Sequence, residues 1–532
     1  MNILVPPVAF WQLRPADAAV VGAYFVAVLG IGAWFKWRER RGDTEEFLLG
    51  SRGLPWWLVS VASFMTLIST SSLVSIPGEA YNHGVGLAFR SLIGPLLGIP
   101  VFYLCIRFFF AAGIFTPFSY LERRFDARTR TLASIMYLVI RVLYLSVTLY
   151  AAAKILEAAA GWPVWFSVLA IGGAGLAYVY LGGMKAVVWA DFLQFFLLVA
   201  GLVLIAVVAM HKAGLGFLGV WQTAEAHGRG LGLARESDFW SMSPHVRVSF
   251  WLICFTALTD RLFYLSADQM AVQRLLSTKS YGEAARSNIA AMLLQVPVML
   301  FLWFVGLAVF AFYATRPAEA GGIAGDAALF RFVATQLPVA GAGLFIAACL
   351  GAVMSTIDAG LHSLATVYLK DVHLVHLQPG LSAESQVRLS RLVIALIALL
   401  TMAGALFIGY SAPVLSSSFM EAQVFWITFQ GLLAVWFIIG VVSTRVTGAD
   451  VRRAFIAAIA VTLGTVVWYI RSRQQGEPVS FLFVAIPGEL TMLVVGLLPG
   501  LWRKRLPAER IRNLTLFTLD RGAGTPGSRD AE

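Results

Sequence analysis

Residues 55–82 read PWWLVSVASFMTLISTSSLVSIPGEAYN, and this stretch decides the fold. It is apolar at its start and long enough to cross the ~30 Å hydrocarbon layer of a bilayer as a helix. Its middle is unlike an ordinary membrane helix. Thr66, Ser69, Thr70, Ser71, Ser72 and Ser75 crowd together, and Pro77-Gly78 follows. Hydroxyls that bond to nearby carbonyls, and a Pro-Gly pair, loosen the helical ladder and free backbone oxygens. Inside a membrane such oxygens are tolerated only where protein or a water-filled cavity receives them. The stretch therefore predicts a broken membrane helix beside a polar site.

The rest of the chain fits that reading. Of 532 residues, 59% are hydrophobic and 13% are charged, against roughly 45–50% and about 25% in soluble domains. With a mean hydropathy of +0.78, the chain has too little charge to coat a water-facing surface. A soluble multidomain enzyme and a disordered chain are both excluded. An all-α polytopic membrane protein remains, with the lipid bilayer as its surroundings. The net charge of +11, from 40 Lys+Arg and 29 Asp+Glu, has a topological meaning, because basic residues collect in cytoplasmic loops. No basic patch is interleaved with exposed aromatics, so nucleic acid is not an expected partner. Cys105, Cys254 and Cys349 each lie alone in an apolar run and read as small packing residues.

About thirteen stretches have spanning length: 16–36, 55–82, 88–114, 132–158, 164–182, 188–211, 248–267, 289–314, 341–368, 390–410, 419–443, 454–470 and 481–501. One membrane domain over 1–502 is expected, with 503–532 as a polar, fraying cytoplasmic tail. With the N-terminus outside, Lys36, Arg38, Arg40, Arg41 and Arg52 fall inside. So do Arg123, Arg124, Arg128 and Arg130, and the run from Arg503 onward. The expected orientation is N-out, C-in, in a multi-pass protein of the cell membrane, inner or plasma. The span 248–267 carries Asp260-Arg261 in its second half and reads as a second interruption. Each interrupted span opens a block of five, 55–211 and 248–443. An extra helix at 16–36 precedes the blocks, and two more at 454–501 follow. Interrupted helices at corresponding places in two halves point to a transporter with inverted repeats.

Hard cations such as sodium prefer oxygen ligands. Ser355 and Thr356 are adjacent on a predicted helix, about 100° apart, with Ala352 one turn earlier. Their hydroxyls, the Ala352 carbonyl and freed oxygens of 65–72 could surround an ion. Alternatively, the hydroxyls bond back to their own helix. Ionisable residues within spans are functional candidates by default: Asp191, Asp358, Asp260-Arg261 and Arg141. Asp260 and Arg261 could instead pair with each other, and Arg141 with a carboxylate. Lys154 and Glu157 read as an interfacial salt bridge, and Glu79 and His83 as facing an outer vestibule. The seven histidines are scattered. His373 and His376 lack a carboxylate partner and read as a solvated loop.

Four segments carry a resemblance. They are Thr44-Glu45-Glu46-Phe47-Leu48-Leu49-Gly50-Ser51-Arg52-Gly53-Leu54-Pro55-Trp56-Trp57; Gly182-Gly183-Met184-Lys185-Ala186-Val187-Val188-Trp189-Ala190-Asp191 with Gln194; Asp268-Gln269 with Val272-Gln273-Arg274; and Met354-Ser355-Thr356 through Ala359-Gly360-Leu361-His362-Ser363, then Asp371. In this order and topology they resemble the sodium:solute symporter family. The resemblance implies a LeuT-type 5+5 inverted repeat with one extra N-terminal and two extra C-terminal helices. It implies sodium-driven uptake of a small organic solute or anion by alternating access, with sodium as the coupling ion. It places sodium on backbone oxygens of Met65, Ile68 and Ala352 and on the hydroxyls of Ser355 and Thr356. Asp191 and Asp358 would lie near the ion.

Tyr264 matches the aromatic inner gate of sugar-carrying members. Sugar carriers have an Asn and a Glu-Gln pair where this chain has Leu67 and Ser71-Ser72. The run from Ser75 to Gly84 is more similar to the iodide, monocarboxylate and vitamin branch, whose substrates are mostly anions. Ser71, Ser72, Tyr264, Arg261 and Arg141 are therefore the substrate and gate candidates, with the two arginines facing an anionic group. An enzyme is not expected, because no nucleophile, base or metal set is clustered. A sensor built on the transporter fold is the other alternative.

Overall fold

The computed structural model describes residues 14–38, 44–68, 70–232, 237–320, 325–411 and 419–518. Its helices before the second predicted interruption are α1 (Pro15–Arg38), α2 (Thr44–Leu49), α3 (Trp56–Leu67), α4 (Thr70–His83), α5 (Ala88–Ala112), α6 (Pro117–Arg124), α7 (Ala127–Ala160), α8 (Val164–Ala213) and α9 (Phe217–Ala226). From there on come α10 (Phe250–Ser266), α11 (Gln269–Leu276), α12 (Tyr281–Thr315), α13 (Pro317–Ala320), α14 (Gly325–Gln336), α15 (Gly341–Val367), α16 (Ala383–Ser411), α17 (Phe419–Val442), α18 (Gly448–Gln474) and α19 (Ile486–Leu497). Among the described residues, eight helices are long and apolar enough to cross a membrane. The number is up to ten if each of two bent pairs is one span.

The first bent pair is the opening stretch. Ile68 leaves the helical region (φ −103°, ψ 110°), and its N–H turns back to the Met65 carbonyl at 3.2 Å. Thr66 donates to the Ala62 carbonyl at 2.8 Å, competing with the backbone ladder as expected. The two halves of the pair meet at 57°.

The second interruption is not where Asp260-Arg261 suggested. Helix α10 runs unbroken through both residues, and the 52° bend falls between Ser266 and Gln269. A charged pair in a helix needs partners, not a break. Asp268, by contrast, caps the next helix by accepting the Met270 N–H at 3.0 Å, and a side-chain cap of this kind starts a new helix direction.

The spans expected at 164–182 and 188–211 are fused in α8, with a break at Gly183 (φ 55°, ψ −155°). A Cβ there would lie 2.8 Å from the Phe47 carbonyl oxygen, so only glycine lets the linker helix α2 press against the break. Phe47 and Leu48 are held from the other side. His362 Nε2 lies 2.9 Å from the Phe47 carbonyl, and Gln273 donates to the Leu48 carbonyl at 2.7 Å.

Burial separates the helices. Within its apolar window, α15 is 94% buried and α1 only 22%, so α15 is the central post and α1 lies at the periphery. Three expectations shift near the ends of elements. The last span does not begin at 481, because residues 475–485 form a loop before α19, whose start is set by Pro487 in its first turn. The tail does not fray from 503. Tyr120 donates to the Leu514 carbonyl at 2.7 Å, the Leu516 N–H bonds the Val441 carbonyl at 3.0 Å, and Ile511 is buried. Residues 519–532 lie outside the described set. His373 and His376 sit on a π-helical extension of α15, Tyr368–Leu377, rather than in a loop.

Candidate functional site

Two buried polar regions lie inside the bundle. The first is a seam where α15 meets α8 and α11. Asp191 follows the Gly183 break in α8 and is completely buried, as are Ser355, Thr356 and Asp358 of α15. One Asp191 oxygen accepts the Ser355 hydroxyl. The other accepts Arg274 Nη2 at 2.8 Å, and that guanidinium also reaches the Met270 carbonyl at 3.2 Å. The bend after α10 thus delivers Arg274 to the carboxylate. Thr356 donates to the Ala352 carbonyl at 3.1 Å, which is the bond back to its own helix considered above. That bond uses the hydroxyl proton and leaves the oxygen lone pairs free, and the Ser355–Asp191 bond does the same. Both hydroxyls are therefore turned with their acceptor sides available. Met65 and Ile68, at the end of α3, are fully buried in the same cluster as Ala352.

Asp358 lies one turn beyond Ser355. One of its oxygens accepts the Ala359 N–H, and the other has no hydrogen-bond partner among the described residues. Gln194 donates to Tyr24 at 3.1 Å, and Tyr24 in turn reaches Met354 Sδ at 3.2 Å, which closes the α1 side of the seam.

The second region is a cavity of about 190 Å³ walled by α3, α4, α5, α7, α10, α12 and α17. Arg261, Arg141, Tyr264 and Ser72 all line it. Ser71 lies on α4, but its side chain is outside the described set. The two arginines differ. Arg141 is ion-paired with Asp268, and its guanidinium lies 5.0 Å from the Tyr144 ring and 5.1 Å from the Phe263 ring. Arg261 is equally buried but touches a carboxylate only at 3.8 Å, through Asp260. That carboxylate is also 3.9 Å from Arg90. Arg261 Nε has no hydrogen-bond partner among the described residues. Gly94 of α5 leaves room for it, since a Cβ there would stand 3.3 Å from Nε. Tyr264 donates to the Ser63 carbonyl at 3.0 Å and so ties α10 to the end of α3.

Several participants escaped the sequence reading. Arg274 and Asp268 stood in a quoted motif without a role. Gln295 lines the cavity with its carbonyl oxygen unpartnered among the described residues. Phe481 and Leu482 also line it. Glu79 does not face an open vestibule; it is buried and holds Arg247 through two bonds of 2.6 and 2.9 Å. The expected Lys154–Glu157 pair is present. No group of three or more His, Cys, Asp or Glu among the described residues could hold a metal.

Comparison with known proteins fixes the family. The model of the sodium:solute symporter family matches residues 47–403. The chain belongs to the sodium:solute symporter family. Within it, the chain is 26% identical over 495 residues to the sodium/sialic acid symporter SiaT of Proteus mirabilis, covering 90% of this chain and 93% of the relative. It is 30% identical over 371 residues to sodium-coupled monocarboxylate transporter 2 of Danio rerio, covering 68% of this chain and 58% of that one. The fold matches a solved Na+-coupled sialic acid symporter, described as substrate-bound and outward-open, with a TM-score of 0.82 and 23% identity over 93% of this chain. The symporter thus has a LeuT-like fold, couples sodium to solute uptake and works in a membrane, and its family and relatives are transporters.

Proposed function

We propose that this symporter carries a small organic anion inward together with sodium, by alternating access across the inner or plasma membrane. The observation behind the anion is Arg261, a buried guanidinium in the cavity whose carboxylate neighbour is 3.8 Å away and shared with Arg90. A charge held this loosely in a low-dielectric site is poorly compensated, and a substrate carboxylate would complete it. Arg141 lines the same cavity but is neutralised by Asp268, which leaves Arg261 as the loosely compensated charge. Ser71 and Ser72 would offer polar contacts, and Tyr264 the inner gate.

Sodium would bind Met65, Ile68 and Ala352 carbonyls and the Ser355 and Thr356 hydroxyls, bridging the broken α3–α4 span to α15. Asp191 and Asp358 would lie close by as anionic charges. In this reading ten of the thirteen spans form two inverted repeats, 55–211 and 248–443, with N-out, C-in orientation. Sodium binding stabilises the outward geometry and completes the cavity, and rocking of one bundle then opens the inside. Sodium leaving toward a negative interior adds ~2.3 kcal/mol per charge per 100 mV. Substrate must then tighten sodium binding by the same factor as the reverse. The test is sodium-driven uptake in proteoliposomes of radiolabelled lactate, nicotinate and N-acetylneuraminate beside their neutral amides. Selective uptake of acids that is lost in Arg261→Gln is expected. Equal uptake of acids and amides would overturn the anion assignment.

A further inference from the structure

The second part of the loop between α18 and α19, from Val479 on, is largely buried, which is unusual for a connection. Val479, Ser480, Phe481, Leu482, Val484 and Ala485 are each 5% exposed or less. A loop can sit inside only if its backbone polar groups are satisfied, and these are tied to the approach to α10. The Ser480 N–H bonds the Pro244 carbonyl at 2.6 Å, and its hydroxyl donates to the Arg247 carbonyl at 2.7 Å. The Arg247 guanidinium lies 5.5 Å from the Phe481 ring centroid while gripping Glu79 of α4 with both nitrogens. The loop is therefore pinned to the segment that leads into α10 and, through Arg247, to α4, and Phe481 and Leu482 line the cavity.

Arg247 precedes the first residue of α10. Arg261 lies eleven residues into that helix, roughly 16 Å further along at 1.5 Å per residue. The cavity lining thus combines a charged side at Arg261 with an apolar side at Phe481 and Leu482. That apolar side comes from a segment beyond residue 403, where the match to the family model stops.

We infer that Phe481 and Leu482 determine substrate specificity by setting the length of molecule the cavity accepts. The anionic group sits at Arg261 and the apolar remainder packs against the loop. This rests on the proposal that the cavity is the substrate site. A methylene gained or lost in an apolar pocket changes selection by roughly 10-fold or more, so shortening or enlarging the Phe481 side chain should move the preferred length.

The experiment uses purified full-length protein and straight-chain monocarboxylates from propionate upward, each beside its primary amide. The readout is the sodium-dependent rise in melting temperature, which reports binding without transport. Phe481→Ala is expected to shift the best-bound acid to a longer chain. Phe481→Trp is expected to shift it to a shorter one, with about tenfold changes in half-saturating concentration. Phe481→Leu, a milder change, guards against loss of folding. Arg261→Gln should weaken all acids while leaving the preferred length in place. An unchanged length order in all three Phe481 variants would overturn the inference. If amides bind as well as acids, the anion reading fails, and the length order still tests the wall.

Discussion

Asp191 in the seam and Arg261 in the cavity are both buried, yet their charges are handled in opposite ways. In the seam, carboxylate and guanidinium meet at 2.8 Å and a hydroxyl takes the remaining carboxylate oxygen. At Arg261, the nearest carboxylate stands 3.8 Å away and divides itself between two arginines, whereas Arg141 in the same cavity is paired with Asp268. A buried pair with good geometry and satisfied lone pairs holds its surroundings in place, whereas a loosely compensated buried charge is open to a ligand. The first region suits a scaffold for ion ligands and the second suits a receptor.

That contrast can be broken most directly at Arg274. Replacing it with Gln leaves Asp191 buried and uncompensated, and should destabilise the protein by about 3–5 kcal/mol. The double variant Asp191→Asn with Arg274→Gln should recover much of the melting temperature, measured in detergent. If Arg274→Gln melts like wild type, the seam is not the rigid partner in the comparison.

Arg261→Gln should behave differently. Its melting temperature should change little, because no tight pair is broken. Affinity for an acidic substrate should fall about 10- to 100-fold, the range for losing a hydrogen bond to a charged group. Sodium binding without substrate, followed by intrinsic tryptophan fluorescence, should persist. A large loss of melting temperature would move Arg261 into the structural class.

Smaller effects sharpen the seam itself. Ser355→Ala and Thr356→Ala should each raise the sodium concentration for half-maximal uptake by about tenfold, one lost oxygen contact being worth on the order of 1.4 kcal/mol. A wild-type sodium response in the double variant would remove both hydroxyls from the proposed site. Smallest of all should be Lys154→Met. Its pair with Glu157 is 42% exposed on both sides, and exposed pairs contribute about 0–1 kcal/mol after screening. A melting shift larger than that of Arg261→Gln would contradict the ranking.

Much of the architecture was legible because it depends on local runs. The apolar runs and the hydroxyl cluster that breaks α3 from α4 are properties of a few adjacent residues, whereas Gly183 stood in a quoted motif without being read as a break. Arg274 was legible as part of a motif but not as a partner, since Asp191 is 83 residues away and only the bend after α10 joins them. That bend was misplaced for a related reason. Asp260-Arg261 attracts notice as charge in an apolar run, while the residue that turns the chain is Asp268, acting through a backbone cap. Phe481 and Leu482 looked like the start of a membrane helix, because an apolar loop and an apolar helix have the same composition. Docking of residues 503–518 was hidden as well, since it relies on main-chain carbonyls of Val441 and Thr444, which no side-chain pattern announces.

The cavity also has a consequence for the order of biosynthesis. Its lining extends from Thr66 to Leu482, so it is finished only when the last hairpin reaches the membrane. The Asp191–Arg274 pair can close as soon as α11 has emerged, some two hundred residues earlier. A nascent chain would thus neutralise the Asp191 and Arg274 charges early, and Arg261 would stay open to its surroundings until the loop after α18 completes the lining.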